Sequence, residues 1–213
     1  KKKSGLKKKD FYLSYCPERV IPGDILNELI NNDRVIGGVN KLSSEKCKEF
    51  YSTFCKGNIY LTDAPTAELV KLSENSYRDV NIAFANELSI ICSKYNIDTN
   101  ELIELANRHP RVNIHKPGCG VGGHCIAVDP WFIAFQVPNV SKLIQKAREI
   151  NLNKTRWIIK KIEKKINDVE SKIKRKPKIG FLGLAYKANV DDLRESPALF
   201  IVKQFIDSNY EFY

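Results

Sequence analysis

The sequence predicts an α/β chain with a helical middle, in which the end of one α/β unit precedes the helices and the beginning of another follows them. Short apolar runs alternate with helical patterns before residue 62, as in a parallel sheet with crossover helices. A long helical pattern follows, and a strand, a glycine turn and a helix start come last. We expect domains at residues 1–62, 63–173 and 174–213.

The first region contains three short apolar runs that predict strands, namely Phe11–Tyr15, Val35–Val39 and Asn58–Leu61. Between them, Asp24–Asn31 and Ser43–Cys55 have apolar residues at helical spacing. The region has no Gly-x-Gly-x-x-Gly opening, so in a dinucleotide-binding fold it would supply only the later part.

The middle region is predicted to be helical. A helix begins at Asp63-Ala64-Pro65 and continues to about Tyr95. Its apolar positions at helical spacing are Leu69, Leu72, Val80, Ala83, Phe84, Leu88 and Ile91. A helix of this length indicates a connector between domains or the core of an oligomer. Further helices are expected at Thr99–Asn107 and Lys142–Ile173.

The last region is predicted to open a second α/β unit. Lys178–Leu184 has the pattern of a strand that enters a glycine turn, and a helix is expected at Ala198–Ile206. Ser196 and Pro197 have the residue types typical of the N-cap and the first helical position.

The net charge is +10 over 213 residues and is concentrated in Lys1–Lys9 and Lys160–Lys178. Aromatic residues are not interleaved with these lysines, so we favour solvated surfaces that attract anionic ligands over nucleic-acid binding. No apolar run approaches the roughly 20 residues of a membrane span, and no signal-peptide pattern is present. We therefore expect a cytoplasmic protein with reduced cysteines and no membrane contact. The absence of methionine, even at position 1, predicts an internal piece of a longer chain.

The segment from Gly118 to Phe132 carries the strongest chemical signal. Four of the six residues from 118 to 123 are glycine, and the loop ends on Cys125. Asp129 and Pro130 have the form of an N-cap and a first helical residue. A cysteine between a glycine loop and a helix N-terminus can serve as a nucleophile, or it can simply fill space in a tight loop.

Metal binding is a minor alternative for the same loop. Cys119, His124, Cys125 and His115 contain the ligand types of a zinc site. The side chains of the adjacent His124 and Cys125 would point apart in an extended segment, so we expect no metal.

Three polar residues on the long helix, Lys71, Asn75 and Arg78, share one face because they lie four and seven residues apart. They can form a solvated stripe, which is the usual role of such residues. Alternatively, the charge of Lys71 and the amide dipole of Asn75 would suit a site that stabilises an oxyanion.

Four ordered segments resemble the nucleotide-sugar 6-dehydrogenases of the UDP-glucose/GDP-mannose dehydrogenase family. They are Tyr15-Cys-Pro-Glu-Arg-Val-Ile-Pro-Gly, Lys71-Leu-Ser-Glu-Asn-Ser-Tyr-Arg, the stretch from Arg108 to Phe132, and Gly183-Leu-Ala-Tyr-Lys through Leu193-Arg-Glu-Ser-Pro-Ala. The resemblance runs through essentially the whole chain. It implies the tail of an N-terminal Rossmann-like domain that binds NAD, a central all-helical dimerisation region and the start of a C-terminal Rossmann-like domain that binds the nucleotide sugar.

The resemblance also implies a reaction and a role for each motif. The reaction is a two-step, four-electron oxidation of the C6 alcohol of UDP-N-acetyl-D-mannosamine to the uronate, with NAD as cofactor. Cys125 would be the nucleophile that forms a thiohemiacetal and then a thioester. Lys71 would transfer protons and, with Asn75, hold the oxyanion, whereas Asp129 and Glu18 would position or deprotonate water.

Binding residues follow from the same resemblance. Substrate contacts are implied at Arg19, Val20, Lys71, Asn75, Arg78, His109, Arg111, Gly122, Tyr186 and Lys187, and a contact to NAD phosphates at Arg194. Arg111 is expected to reach the site of a neighbouring subunit in a homodimer or higher homo-oligomer formed through the long central helix.

Two residues depart from the family pattern. Cys119 stands where close relatives are expected to have proline, and Pro22 where the UDP-glucose enzymes have glutamate. The second departure favours an acetylated sugar over UDP-glucose and leaves Glu18 without a supporting acid. A related UDP-N-acetylglucosamine or UDP-glucose 6-dehydrogenase, and a non-catalytic helical dimerisation module, stay open as alternatives.

Overall fold

A computed structural model of the chain describes residues 5, 7, 11–21 and 23–206, so Pro22 and most of the Lys1–Lys9 run lie outside the described residues. The elements in chain order are β1 (Ser14–Tyr15), α1 (Ile25–Asn31), β2 (Arg34–Gly38), α2 (Lys41–Tyr51), β3 (Ile59–Asp63), α3 (Ala64–Tyr95), α4 (Thr99–Ala106), α5 (Asp129–Gln136), α6 (Lys142–Ile173) and α7 (Pro197–Ile206). The chain divides into two compact units, Lys1–Glu74 and Asn75–Tyr213.

The first unit contains a three-stranded sheet in the order β1-β2-β3. β2 and β3 are parallel, with Arg34 opposite Ile59 and Gly38 opposite Asp63. Ile36 at the centre of β2 is fully buried, as expected for a strand that is covered on both faces. The strands predicted at 35–39 and 58–61 are confirmed with bounds shifted by one or two residues.

Strand β1 differs from the prediction in length and direction. Only Ser14 and Tyr15 of the expected Phe11–Tyr15 run form a strand, and they pair antiparallel with β2. The expectation of an all-parallel sheet is therefore wrong at this strand. Pro17 follows almost at once, and its lack of an N–H group prevents the ladder from continuing.

The turn from β2 into α2 depends on close packing. A Cβ atom added at Gly37 would lie 2.3 Å from the backbone oxygen of Asp63, so only glycine allows the end of β3 to approach β2. Asn40 then caps α2, because its Oδ1 accepts a hydrogen bond of 2.8 Å from Ser43 N.

The second unit is built from helices. α4 begins at a side-chain cap, in which Asp98 Oδ1 accepts hydrogen bonds from Asn100 N (2.8 Å) and Glu101 N (3.2 Å). α6 runs over the predicted bounds and packs against α7 through the buried residues Ile166, Ile201 and Phe205.

The segment Lys178–Leu184 is not the strand that its sequence predicts. Its backbone forms a single bridge at Ile179 and otherwise has no regular structure. A strand is stabilised by hydrogen bonds to a neighbouring strand, and the described residues of the second unit contain no strand that could pair with it. The helix start that follows is confirmed, because α7 begins at Pro197 directly after Ser196.

Among the described residues, no helix combines the length and the apolar character that crossing a membrane requires. α3 and α6 each have 32 residues, but both contain charged residues along their length.

Candidate active site

Cys125 lies at the turn that leads into α5. Its carbonyl oxygen accepts hydrogen bonds from Val128 N (3.0 Å) and Asp129 N (2.8 Å), which close the turn before the helix. The residue is half-buried and belongs to no disulfide. These hydrogen bonds therefore hold the Cys125 backbone in a closed turn, and the residue lies close to the positive end of the α5 dipole.

Asp129 is the first residue of α5, and Pro130 follows it in the first turn. The N-cap is Val128, so the prediction of Asp129 as the cap is wrong by one residue. The carboxylate of Asp129 does not cap its helix because it accepts a 2.6 Å hydrogen bond from Asn75 Nδ2 on α3. This charge-assisted bond brings together two of the predicted catalytic residues.

The glycine loop packs against the segment that precedes α7. A Cβ atom at Gly122 would lie 2.6 Å from both Glu195 O and Tyr186 Cβ. Gly123 has a φ of +84°, and its N–H donates a 2.9 Å hydrogen bond to Arg194 O. Glycine at these positions therefore allows two predicted binding residues, Tyr186 and Arg194, to lie beside the cysteine loop.

Arg194 forms a bidentate pair with Asp192. Its Nε and Nη2 donate to Asp192 Oδ1 (2.9 Å) and Oδ2 (2.7 Å), and its backbone N–H also donates to Oδ1. These hydrogen bonds lower the pKa of Asp192 to about 2. In return the hydrogen bonds and the charge of Asp192 raise the pKa of Arg194.

The predicted residues of the first unit form a separate group. Lys71 Nζ donates a 2.8 Å hydrogen bond to the backbone oxygen of Glu18. Arg19 pairs with Glu74 at 2.7 Å, and its backbone N–H donates to Glu18 Oε1 at 2.9 Å. Val20 is half-buried in the same loop. Glu18 and Arg19 of the Tyr15–Gly23 motif are therefore joined to the start of α3.

Four of the predicted binding residues lie on the surface. Arg78, His109, Arg111 and Lys187 are exposed. The backbone N–H of Arg111 donates to His109 Nδ1 at 3.3 Å, which links these two residues locally. Their exposed side chains are available to a ligand or to another subunit.

The structure contains a buried polar network that the sequence interpretation missed. Arg148 Nη1 donates to Asp79 Oδ1 at 2.7 Å, and Asn151 Nδ2 donates to the same oxygen at 2.8 Å. Asn86 Nδ2 donates to Asn151 Oδ1 at 2.9 Å, and Asn86 Oδ1 accepts from Gly118 N at 2.9 Å. These groups join α3, α6 and the start of the cysteine loop. The available signal was the presence of residues with poor helix propensity, such as Asp79 and Asn86, inside one long helix.

A second group was missed in the first unit, around Cys16 of the Tyr15–Gly23 motif. The guanidinium of the buried Arg34 lies 4.7 Å from the ring centre of Tyr51, where it forms a cation–π contact. Burial and a hydrogen bond with Cys16 raise the pKa of Tyr51 to about 12. Burial likewise raises the pKa of the Cys47 thiol. The cluster supports the loop that carries Glu18 and Arg19.

Among the described residues, no group of three or more His, Cys, Asp or Glu side chains could hold a metal ion.

Models of three domains of one family match the chain in order. The NAD binding domain matches residues 1–55, the central domain residues 65–153 and the UDP binding domain residues 180–213. The chain belongs to the UDP-glucose/GDP-mannose dehydrogenase family. This membership confirms both the resemblance and the expected order of an α/β end, a helical middle and an α/β beginning.

Relatives in this family share about half of the chain's residues. The UDP-N-acetyl-D-mannosamine dehydrogenase of Campylobacter jejuni is 56% identical over 200 residues, which are 94% of this chain and 48% of that protein. The enzyme of the same name from Methanocaldococcus jannaschii is 55% identical over 96% of this chain and 46% of its own length. The chain spans about half the length of the curated relatives it matches.

Solved structures of the family have the same fold. The UDP-D-ManNAc dehydrogenase from Pyrococcus horikoshii superposes with a TM-score of 0.88 at 44% identity, over 98% of this chain and 50% of that chain. The UDP-N-acetyl-mannosamine dehydrogenase from Staphylococcus aureus gives 0.84 at 48% identity, over 99% and 49%.

Proposed function

We propose that the protein is an NAD-dependent dehydrogenase that oxidises the C6 alcohol of UDP-N-acetyl-D-mannosamine to the uronate in two steps. The substrate in this proposal is the one in the names of the relatives described above. The observation that carries the proposal is the ordered Cys125 turn, with the Asn75–Asp129 hydrogen bond at the start of α5 and Arg194 beside the loop.

Cys125 acts as the nucleophile. After the first oxidation its thiolate adds to the C6 aldehyde, and the carbonyl oxygen takes up a proton to give a thiohemiacetal. A second loss of hydride from C6, with the hydroxyl proton passing to Lys71, converts this adduct to a thioester, and water then releases the carboxylate and the thiol. Covalent capture divides the oxidation into easier steps and retains the reactive aldehyde.

Lys71 and Asn75 lie four residues apart on α3 and therefore share a face. Lys71 takes the proton of the alcohol and returns a proton to the adduct, and both side chains stabilise negative charge on the substrate oxygen. The hydrogen bond to Asp129 gives the Asn75 amide a defined orientation.

Asp129 and Glu18 handle the water that hydrolyses the thioester. Asp129 Oδ2 is engaged by Asn75, so the other carboxylate oxygen is the one that would accept a proton from water. Glu18 is exposed and can position water from the first unit.

NAD, when bound, accepts one hydride in each of the two oxidations. The Arg194 guanidinium fits a phosphate of this cofactor, because it is exposed and Asp192 holds it in one orientation. The remaining residues contact the nucleotide sugar, namely Arg19, Val20, Arg78, His109, Arg111, Gly122, Tyr186 and Lys187. Of these, Gly122 and Tyr186 are in close contact, so the sugar site includes the start of the UDP binding domain.

The protein acts in the cytoplasm as a homodimer or higher homo-oligomer through α3. Tyr77, Phe84 and Ile91 recur every seven residues on this helix and are 63%, 52% and 45% exposed. Residues at this spacing form one stripe, and a second copy of the chain would cover it. Arg111 would then reach the site of the neighbouring subunit. Light scattering after size exclusion should give a dimer or larger particle, and Phe84→Glu should reduce its size.

The test of the activity is NADH formation by the protein expressed from its complete gene. UDP-N-acetyl-D-mannosamine should give two NADH per sugar and should be preferred over UDP-N-acetylglucosamine and UDP-glucose. Preference for either of the other sugars would support the related 6-dehydrogenase instead.

Cys125→Ser tests the nucleophile, with Cys119→Ser as the matched control in the same loop. Cys119 is half-buried, and burial raises the pKa of its thiol, so its removal should leave turnover near that of the unsubstituted protein. Cys125→Ser should abolish uronate formation. An unchanged rate in this variant would refute the assigned role.

A further inference from the structure

Helix α3 holds both ends of the segment that carries Cys125. At one end Asn75 Nδ2 donates to the Asp129 carboxylate (2.6 Å), and at the other Asn86 Oδ1 accepts from Gly118 N (2.9 Å). The two asparagines are 4% and 0% exposed and lie about three helical turns apart. The position of Cys125 between these ends therefore depends on two buried amides of one helix.

The orientation of the Asn86 amide is determined by its neighbours. Its Nδ2 donates to Asn151 Oδ1 (2.9 Å), so its oxygen must face Gly118. Asn151 in turn donates to both the carboxylate (2.8 Å) and the backbone oxygen (3.1 Å) of Asp79. The acceptor oxygens of Asp79 thus orient the Asn151 amide, and Asn151 in turn orients the Asn86 amide that accepts from the cysteine loop.

The network also contains a buried ion pair, which filling the space between the helices would not require. Asp79 and Arg148 are 0% and 3% exposed, and burial raises the pKa of Asp79 despite the opposing effect of Arg148. Buried ion pairs are often no more stabilising than apolar residues of similar volume. A carboxylate here nevertheless supplies what an apolar residue cannot, namely an acceptor that orients Asn151 and, through it, Asn86.

We propose that Asn86 is a positioning residue for the Cys125 nucleophile, which it places through the backbone N–H of Gly118. This inference rests on the proposed function, in which the thiol must reach a substrate carbonyl. Asn151 supports it by fixing the direction of the Asn86 amide. Neither residue touches the substrate.

The test compares Asn86→Ala, Asn86→Asp and Asn151→Ala with Ile166→Val, a control that trims the packing between α6 and α7 in the same unit. Asn86→Ala should lower kcat by about 10- to 100-fold with KM changed less than about threefold, because a small displacement of a reacting group is costly. Asn86→Asp keeps an acceptor for Gly118 but loses the donor to Asn151 Oδ1, so it should recover only part of kcat. Asn151→Ala should lower kcat less than Asn86→Ala does.

A second readout does not need turnover. The rate of Cys125 alkylation by iodoacetamide, measured by peptide mass spectrometry with Cys55 of the other unit as internal reference, should change in Asn86→Ala and not in Ile166→Val. Equal changes of kcat and alkylation in these two variants would overturn the positioning role. If Asn86→Ala does not fold, Asn151→Ala decides by the same criterion. Absence of NADH formation by the unsubstituted protein would refute the proposed function. The alkylation result would then decide by itself whether Asn86 positions Cys125.

Discussion

Replacing Arg148 by methionine should cost about 3–5 kcal/mol in the free energy of unfolding of the second unit, because it leaves the Asp79 carboxylate buried without its cation. The pair is short, at 2.7 Å, and both side chains are almost fully buried. Methionine keeps most of the volume of arginine, so loss of packing contributes little and the electrostatic loss dominates.

The same structure predicts a different result for the double replacement Asp79→Leu with Arg148→Met. Among the described residues, Arg148 Nε and Asp79 Oδ2 are buried without a hydrogen-bond partner. Each such orphaned group costs about 1–3 kcal/mol, which offsets much of what the pair contributes. The double variant should therefore lie within about 2 kcal/mol of the original protein and well above Arg148→Met alone.

The measurement is urea denaturation followed by tryptophan fluorescence. Both tryptophans of the chain, Trp131 and Trp157, lie in the second unit, so the signal reports on that unit. The penalty of Arg148→Met should be greatest at neutral pH and shrink as the pH falls towards the carboxyl range. Burial already raises the pKa of Asp79, and without Arg148 the folded state takes up a proton more readily than the unfolded state. A penalty below about 1 kcal/mol at neutral pH would refute the network as a support of the α3–α6 packing.

Three smaller changes test local features. Gly122→Ala should destabilise the second unit by about 1–3 kcal/mol, because its Cβ would lie 2.6 Å from Glu195 O; unchanged urea midpoints would contradict this packing. Ser196→Ala should cost about 1 kcal/mol in the same assay, since the hydroxyl accepts from Leu199 N and caps α7. Tyr51→Phe should remove a phenol that ionises near pH 12 in the ultraviolet titration. If the phenol that disappears instead titrates at the ordinary tyrosine value, the proposed environment of Tyr51 is wrong. Because the folded state retains this proton, the unfolding free energy should fall between about pH 10 and 12, and the variant should lack that fall.

Local signals explain why much of the fold could be predicted from the sequence. The bounds of α6 follow from uninterrupted helical spacing, and the start of α7 follows from a serine and a proline at its first positions. The Cys125 loop stands out because its glycines permit backbone contacts that no other residue allows. Each of these features depends on residues near one another in the chain.

Pairings between distant residues could not be predicted in this way. Asp129 has the sequence of an N-cap, yet Asn75, 54 residues earlier, takes its carboxylate as a hydrogen-bond acceptor. Arg148 and Asp79 are separated by 69 residues.

In helix α3, likewise, the sequence pattern alone does not predict which face is buried. At about 100° per residue, Asn75, Asp79 and Asn86 fall within an arc of about 40°, and the structure buries all three. Tyr77, Phe84 and Ile91 lie on the opposite side and are exposed. An amphipathic pattern would place the apolar stripe inwards and the polar stripe in solvent. The reversal follows from the hydrogen bonds that the polar stripe makes to the cysteine loop and α6, and it leaves an apolar stripe for which the proposed oligomer supplies a second copy.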